Sequence, residues 1–168
     1  MKMRGKWLRS LTRQEIALLC IFGICMPVIV VATPGTGVLS NSISRATVEA
    51  FETESGTNGW SVEIETRGLS DIITQTITLA PGGSSGWHSH PGPALVSVKS
   101  GTVTFYHGND PSCTPHIFST GRGFVEPGGD IHIARNEATE NLTLNVTYIV
   151  PENAPQRIDQ PSPGNCAF

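Results

Sequence analysis

Beyond residue 60 the chain breaks into short runs in which apolar and polar side chains alternate. Val62-Glu-Ile-Glu-Thr66 alternates apolar and polar from Val62 to Glu65, and Ile72-Ile-Thr-Gln-Thr-Ile-Thr-Leu79 alternates with many β-branched residues. A period of two sends successive side chains to opposite faces, so both runs predict strands with one buried face. Ala94-Leu-Val-Ser-Val98 and Thr102-Val-Thr-Phe-Tyr106 predict two more, joined by Lys99-Ser-Gly101 as a hairpin turn. A strand containing His132 and a long one from Leu142 to Val150 complete the set. Between them, Pro81 to Gly86, Gly108 to Pro115 and Glu126 to Asp130 read as loops and turns. Residues 151–168 carry Pro151, Pro155, Pro161 and Pro163 and predict an irregular tail over the surface. No helical period is evident after residue 33. Many short strands with frequent turns, in a chain of 168 residues with 18 Gly and 12 Pro, predict one all-β sandwich or barrel.

Residues 1–32 break this pattern. Residues 1–15 hold Lys2, Arg4, Lys6, Arg9 and Arg13 against Glu15, a net +4, and Ile16 to Ala32 follows with 17 residues and no charge. A basic leader, an apolar run and small residues around Val31 and Ala32 predict an N-terminal hydrophobic helix that is a cleaved signal peptide or a retained signal-anchor transmembrane segment. Either way the positive-inside rule places the rest of the chain outside the cytoplasm, secreted or anchored to the membrane by this segment. Residues 33–46, rich in Gly, Ser, Thr and Asn, read as a linker. Beyond residue 15 the chain has six basic and 13 acidic residues, with Lys99 its one lysine, which makes nucleic acid a poor partner. Of the four cysteines, Cys20 and Cys25 lie inside the apolar run. Cys113 and Cys166 remain as an even pair in a compartment that permits disulfides, and they are expected to bridge, tying the tail to a barrel loop.

Candidate chemistry lies in the histidines. His88 and His90 are two residues apart, so on a strand both imidazoles project to one face. Their surroundings read Gly82-Gly-Ser-Ser-Gly-Trp-His88-Ser-His90-Pro-Gly-Pro-Ala94-Leu-Val-Ser-Val-Lys-Ser-Gly101. A second stretch reads Gly121-Arg-Gly-Phe-Val-Glu-Pro127-Gly-Gly129-Asp-Ile-His132-Ile-Ala-Arg-Asn136. In order and spacing the two resemble both motifs of the cupin family, except that Ala94 stands where the family usually has glutamate.

The resemblance implies a single cupin jelly-roll β-barrel over residues 47–150, with 151–168 as a Pro-rich C-terminal tail. It further implies that His88, His90 and His132 point into the barrel mouth and bind a divalent metal ion, with Fe, Mn and Zn all open. Three neutral imidazoles would leave such an ion its full +2 charge, favouring an anionic ligand or a bound hydroxide. Glu126 and Asp130 lie near the second motif, but neither occupies the family's ligand position, so three histidines and no carboxylate are expected. His107 and His116 match no motif position and read as surface or loop residues, although His107 at a strand end could line the mouth. Trp87 is expected on the face opposite His88. Phe105 and Tyr106 alternate, so one should face inward as core packing. The acceptor patterns at Asn141 and Asn145 read as ordinary strand residues.

Three functions stay open: a metal-dependent oxygenase acting on a small molecule, a non-catalytic module that binds a small ligand or metal, and a structural domain. The catalytic residues are unknown from sequence. Edge strands in such barrels often pair, which makes a homodimer an expectation of the resemblance.

Overall fold

A computed structural model describes residues 31–168; the expected leader and nearly all of the apolar segment lie outside these residues. Twelve strands follow one another: β1 (Thr36–Val48), β2 (Glu52–Thr57), β3 (Trp60–Glu65), β4 (Ser70–Ser84), β5 (His88–Ser89), β6 (Ala94–Ser100), β7 (Thr102–His107), β8 (His116–Ser119), β9 (Gly123–Glu126), β10 (His132–Arg135), β11 (Leu142–Pro151) and β12 (Ile158–Asp159). Among the described residues there is no helix. Ten strands form one antiparallel sheet, and β2 and β3 form a separate exposed hairpin. The large sheet folds into two layers. One runs β1-β4-β11-β6-β9 and the other β12-β5-β10-β7-β8, and they meet at the single register pair Arg135↔Ser84 between β10 and β4. This is the expected all-β jelly-roll arrangement.

Alternation sets which side chains fill the interior. In β11, Leu142, Leu144, Val146, Tyr148 and Val150 are buried while Thr143, Asn145, Thr147 and Ile149 between them are half-buried. In β6, Ala94, Val96 and Val98 are buried and Leu95, Ser97 and Lys99 exposed. Register lines up the inward residues: Tyr148 lies opposite Ala94 on one side and Ile73 on the other, and Val146 lies between Val96 and Gln75. A one-residue slip would turn this whole row outward, so the hydrophobic pattern itself fixes the pairing. Phe105 joins this core from the other layer, whereas its neighbour Tyr106 points to the opposite face and packs with Trp87 and Ile133. Trp87 thus lies opposite His88 as expected, buried against the region of the disulfide.

Apart from β3, where the buried face expected of residues 62–66 is almost wholly exposed, four features depart from the sequence reading. Most of the expected linker 33–46 is strand: β1 pairs along β4 from Thr36↔Ser84 to Val48↔Ser70. Its side chains are almost all exposed, so no alternation of burial marks it; backbone pairing to a free edge holds it, helped by Arg45 and Thr47 donating to the buried carboxylate of Asp71. Secondly, β6 and β7 do not form a hairpin. β6 pairs β11 and β9, β7 pairs β10 and β8, and the turn at Lys99-Ser-Gly101 carries the chain from one layer to the other. Gly101 has φ of 84°, and a Cβ there would lie 2.8 Å from the Asn141 carbonyl oxygen, so this corner requires glycine. Thirdly, β4 continues through Pro81 to Ser84 despite its turn-like composition. Finally, the tail is not merely irregular: β12 pairs β5, with Ile158↔Ser89 and Asp159↔His88.

Cys113 and Cys166 form a disulfide with Cα atoms 5.3 Å apart, joining the loop after β7 to the end of the tail. Asn165 adds hydrogen bonds from its amide to the carbonyls of His107 and Asp110. The bridge closes a loop across 53 positions, and removing it as Cys113→Ser, Cys166→Ser is expected to cost about 2–4 kcal/mol. Urea unfolding of the two proteins measures this; an unchanged midpoint would show that the bridge does not hold the tail.

Candidate metal centre

The histidines come from one layer and the floor beneath them from the other. His88 on β5 and His132 on β10 are register partners, so both side chains leave the same face. His90 follows just past the end of β5 and joins them. The ring centroids of His88 and His132 are 4.5 Å apart, those of His88 and His90 4.9 Å, and those of His90 and His132 5.0 Å. One ligand nitrogen from each ring lies within 4.8 Å of the other two, and all three residues are buried, His132 completely. The spacing of the three histidines in the sequence therefore becomes a single cluster. Asn136, the last residue of the second motif, serves the scaffold: its buried amide donates to the carbonyls of Leu79 and Glu140 and its oxygen accepts from the Ala138 N–H.

Backbone carbonyls orient each ring. His88 Nδ1 donates to Gly86 O at 2.9 Å, His132 Nδ1 to Asp130 O at 3.0 Å, and His90 Nδ1 to Gln156 O. With the proton on Nδ1, each neutral ring turns the lone pair of Nε2 inward. Burial disfavours the charged form and pushes His88 down to about 2, with the charges of His132, Arg157 and His90 adding to the effect. Burial likewise pushes His132 down to about 4, against an opposing pull from Glu126. Neutral imidazole is the form that binds metal.

A carboxylate lies beside two of the rings, although the three-histidine cluster itself contains none. Glu126, at the end of β9, is 6% exposed, with Oε2 at 3.1 Å from His90 Nε2 and Oε1 at 3.4 Å from His132 Nε2. The Nε2 atoms of His90 and His132 are themselves 3.2 Å apart. Lone pairs and carboxylate oxygens converging this closely in a buried space repel unless positive charge lies among them. The donor set of imidazole nitrogens and a carboxylate therefore fits a divalent ion such as Fe, Mn or Zn.

A cavity of about 350 Å³ adjoins the cluster, reached by His88 and His90 and lined further by Ser40, Gln75, Tyr148 and Arg157. Burial, then the charge of Glu126, raises the Tyr148 phenol, which stays protonated and can donate. Arg157 Nε donates to Asp159 at 2.6 Å, while its Nη2 is buried with no hydrogen-bond partner among the described residues. His107 lies opposite His132 in register, but its ring packs on Phe105 and His116 and contributes no nitrogen to the cluster.

Sequence reasoning set Glu126 aside and missed Arg157, Gln156 and Tyr148. Only register reveals Glu126, because it sits directly across from Ala94 on β9. Arg157 and Gln156 belong to a tail whose return to β5 has no periodic signal.

The depressed histidines make the metal-free protein sensitive to acid. Well above pH 6.5 both rings are neutral folded or unfolded and contribute no slope. As pH falls below 6.5 the unfolded chain takes up protons that the folded rings refuse, down to about 4 for His132 and about 2 for His88. Stability then falls with pH, by up to about 1.4 kcal/mol per unit for each ring. Urea unfolding of the chelator-treated protein between pH 7.5 and 4.5 is expected to show this slope, reduced in a His88→Asn, His132→Asn variant. Equal slopes would remove these rings as its source.

The family model described as "Cupin domain" matches residues 75–163, more than half of the chain. No curated relative matches it. Among solved structures it is similar to a conserved protein with a double-stranded β-helix domain from Klebsiella pneumoniae, at 20% identity over 67% of this chain and 84% of that one, with a TM-score of 0.46. A cupin superfamily protein from Desulfitobacterium hafniense aligns at 12% identity over 67% of this chain and 77% of that one, with a TM-score of 0.47. An oxalate oxidase aligns at 22% identity over 48% and 46% of the two chains, with a TM-score of 0.42. Likeness at this level bears on no activity of this chain. With both motifs read in order, a jelly-roll barrel around them and the family model spanning the site, the chain belongs to the cupin family.

Proposed function

We propose that this protein is an extracytoplasmic metal-binding cupin that holds a divalent ion on His88, His90 and His132 and presents it to a small molecule in the adjoining cavity. The observation that carries this reading is the convergence of three buried imidazoles, each held at Nδ1 by a backbone carbonyl. Rigid, neutral rings turned inward need no rearrangement to take an ion. A bound ion would supply Lewis-acid polarisation and, if Fe(II), dioxygen chemistry.

The chain's own residues define what happens around it. His88 and His90 face the cavity, Gln75 and Ser40 line its wall, and Tyr148 offers a hydroxyl that remains a donor. These groups bind and orient; proton abstraction finds no base among them at neutral pH other than the imidazoles. Metal-dependent oxygenation of a small molecule is the enzymatic form of this reading. A non-catalytic ligand-binding module is the second, favoured by the donor character of Tyr148 and Arg157. The disulfide supports an oxidising, extracytoplasmic compartment, as do the basic leader and apolar run.

Elemental analysis of the purified protein beside a His88→Ala, His132→Ala variant tests the metal reading. One ion per chain is expected in the parent and loss of most of it in the variant; equal metal in both would end the reading. Oxygen uptake with the Fe(II)-loaded protein and a small-molecule panel separates the two forms, since silence at full loading leaves the binding module.

A further inference from the structure

We propose that Glu126 is a metal ligand, a carboxylate moved from the position held by Ala94 to the facing residue of the next strand. The inference rests on the metal reading above. Ala94 on β6 and Glu126 on β9 are register partners. Directly opposed residues in an antiparallel pair project from the same face with Cβ atoms about 4.5–5.5 Å apart, so a glutamate on either strand can bring its carboxylate to the same volume. Ala94 is fully buried, in line with Glu126 on one side and Tyr148 on the other. A second glutamate at 94 would crowd a like charge against Glu126, whereas alanine leaves the space that Glu126 enters.

The two carboxylate oxygens are also divided between two rings. Oε2 faces His90 Nε2 and Oε1 faces His132 Nε2, at 3.1 and 3.4 Å. Both rings already spend Nδ1 on backbone carbonyls, so these two contacts bring acceptor to acceptor beside the three-histidine cluster. A structural carboxylate would instead meet a donor. With Glu126 included, the donors become three nitrogens and one oxygen, and the ion's residual charge is +1 rather than +2.

Competition with a chromophoric chelator for Zn(II) and Mn(II), and the visible absorption of the Co(II) form, test the inference. Glu126→Gln, close in shape and uncharged, is expected to weaken binding at least about tenfold and to change the Co(II) spectrum. Ala94→Glu, Glu126→Ala is expected to restore most of the affinity, with folding followed by circular dichroism. Parent-like affinity and spectrum in Glu126→Gln, with binding lost in His88→Ala, would overturn the ligand role and leave the histidine site standing. A folded double variant that stays weak would make Glu126 a counter-charge and overturn the exchange of positions. A parent that binds none of these ions would overturn both readings.

A separate observation assigns the charge of the ligand. Arg157 lines the cavity beside His88 and His90, and Asp159 holds its Nε. Its buried Nη2 has no partner among the described residues. A planar guanidinium on the cavity wall, positioned by Asp159, suits an incoming carboxylate, which can pair with its charge. We infer that the cavity takes a small organic carboxylate with Arg157 as its anchor, deepening the ligand reading above.

Thermal shift and calorimetry with acetate, succinate and benzoate, each beside its primary amide, test this on metal-free and Zn(II)-loaded protein. At least one acid is expected to bind and its amide to bind more weakly. Arg157→Gln is expected to lose at least about tenfold in affinity for that acid while still loading one Zn(II) per chain. Amides binding as well as acids, no acid binding at tens of millimolar, or an indifferent Arg157→Gln would each overturn the anchor without touching the metal site.

Discussion

Three backbone carbonyls hold the three imidazoles, and the site depends on them. Two are local: His88 and His132 each donate to the carbonyl two residues earlier. The third is remote, since the carbonyl that receives His90 Nδ1 belongs to Gln156, 66 positions away in the tail. A ring whose Nδ1 is not engaged can carry its proton on either nitrogen and rotate. Orientation of His90 is therefore a property of how the tail docks. That docking is made by β12 on β5, by the Gln160 N–H on the Trp87 carbonyl, and by the disulfide at the tail's end. Stabilising the tail and preparing the metal centre are one task for this chain.

What could be read from the sequence follows the same division. Where burial alternates, as in β11 and β6, the pattern gave the strands and their inward faces, because hydrophobic burial dominates there. Both motifs were legible because their glycines and prolines are spaced by turns that the barrel cannot do without. β1 escaped because its side chains are almost all exposed; strand pairing alone forms it, and backbone hydrogen bonds leave no mark on side-chain type. The turn at Gly101 was read as a hairpin because a sharp turn between two alternating runs looks the same whether the second strand pairs with the first or crosses to the other layer. Glu126 was visible as a residue but not as a neighbour of Ala94, since adjacency across β6 and β9 exists only once register is set.

Charge in the site is arranged in opposed layers. Burial keeps His88 and His132 neutral, which costs stability in acid. The opposite layer supplies Glu126, close to His90 and His132 and raising the Tyr148 phenol. The tail brings Arg157 with Asp159 beside it. A cation among the imidazoles would relieve the buried carboxylate of Glu126, and an anion would pair with the partly exposed guanidinium of Arg157. The two proposed ligands would then be recognised by different parts of the wall.

The proposed move of the carboxylate from position 94 to 126 would also change how the ligands are shared. With Glu126 included, the segment His88–His90 would supply two donors and the segment Glu126–His132 the other two. These segments are locked together: the Gly129 N–H donates to the His90 carbonyl at 2.8 Å, and a Cβ on Gly128 would lie 3.0 Å from Gly92 Cα. Gly92 in turn lies against β11, where a Cβ would be 2.1 Å from the Ile149 carbonyl oxygen. Only bare backbone fits in this stack. The separation of the two donor pairs is thus set by contact between main chains rather than by side chains that could repack. A fixed separation lets an ion be taken without prior rearrangement, so Gly92 and Gly128 set the geometry on which the histidines and Glu126 depend.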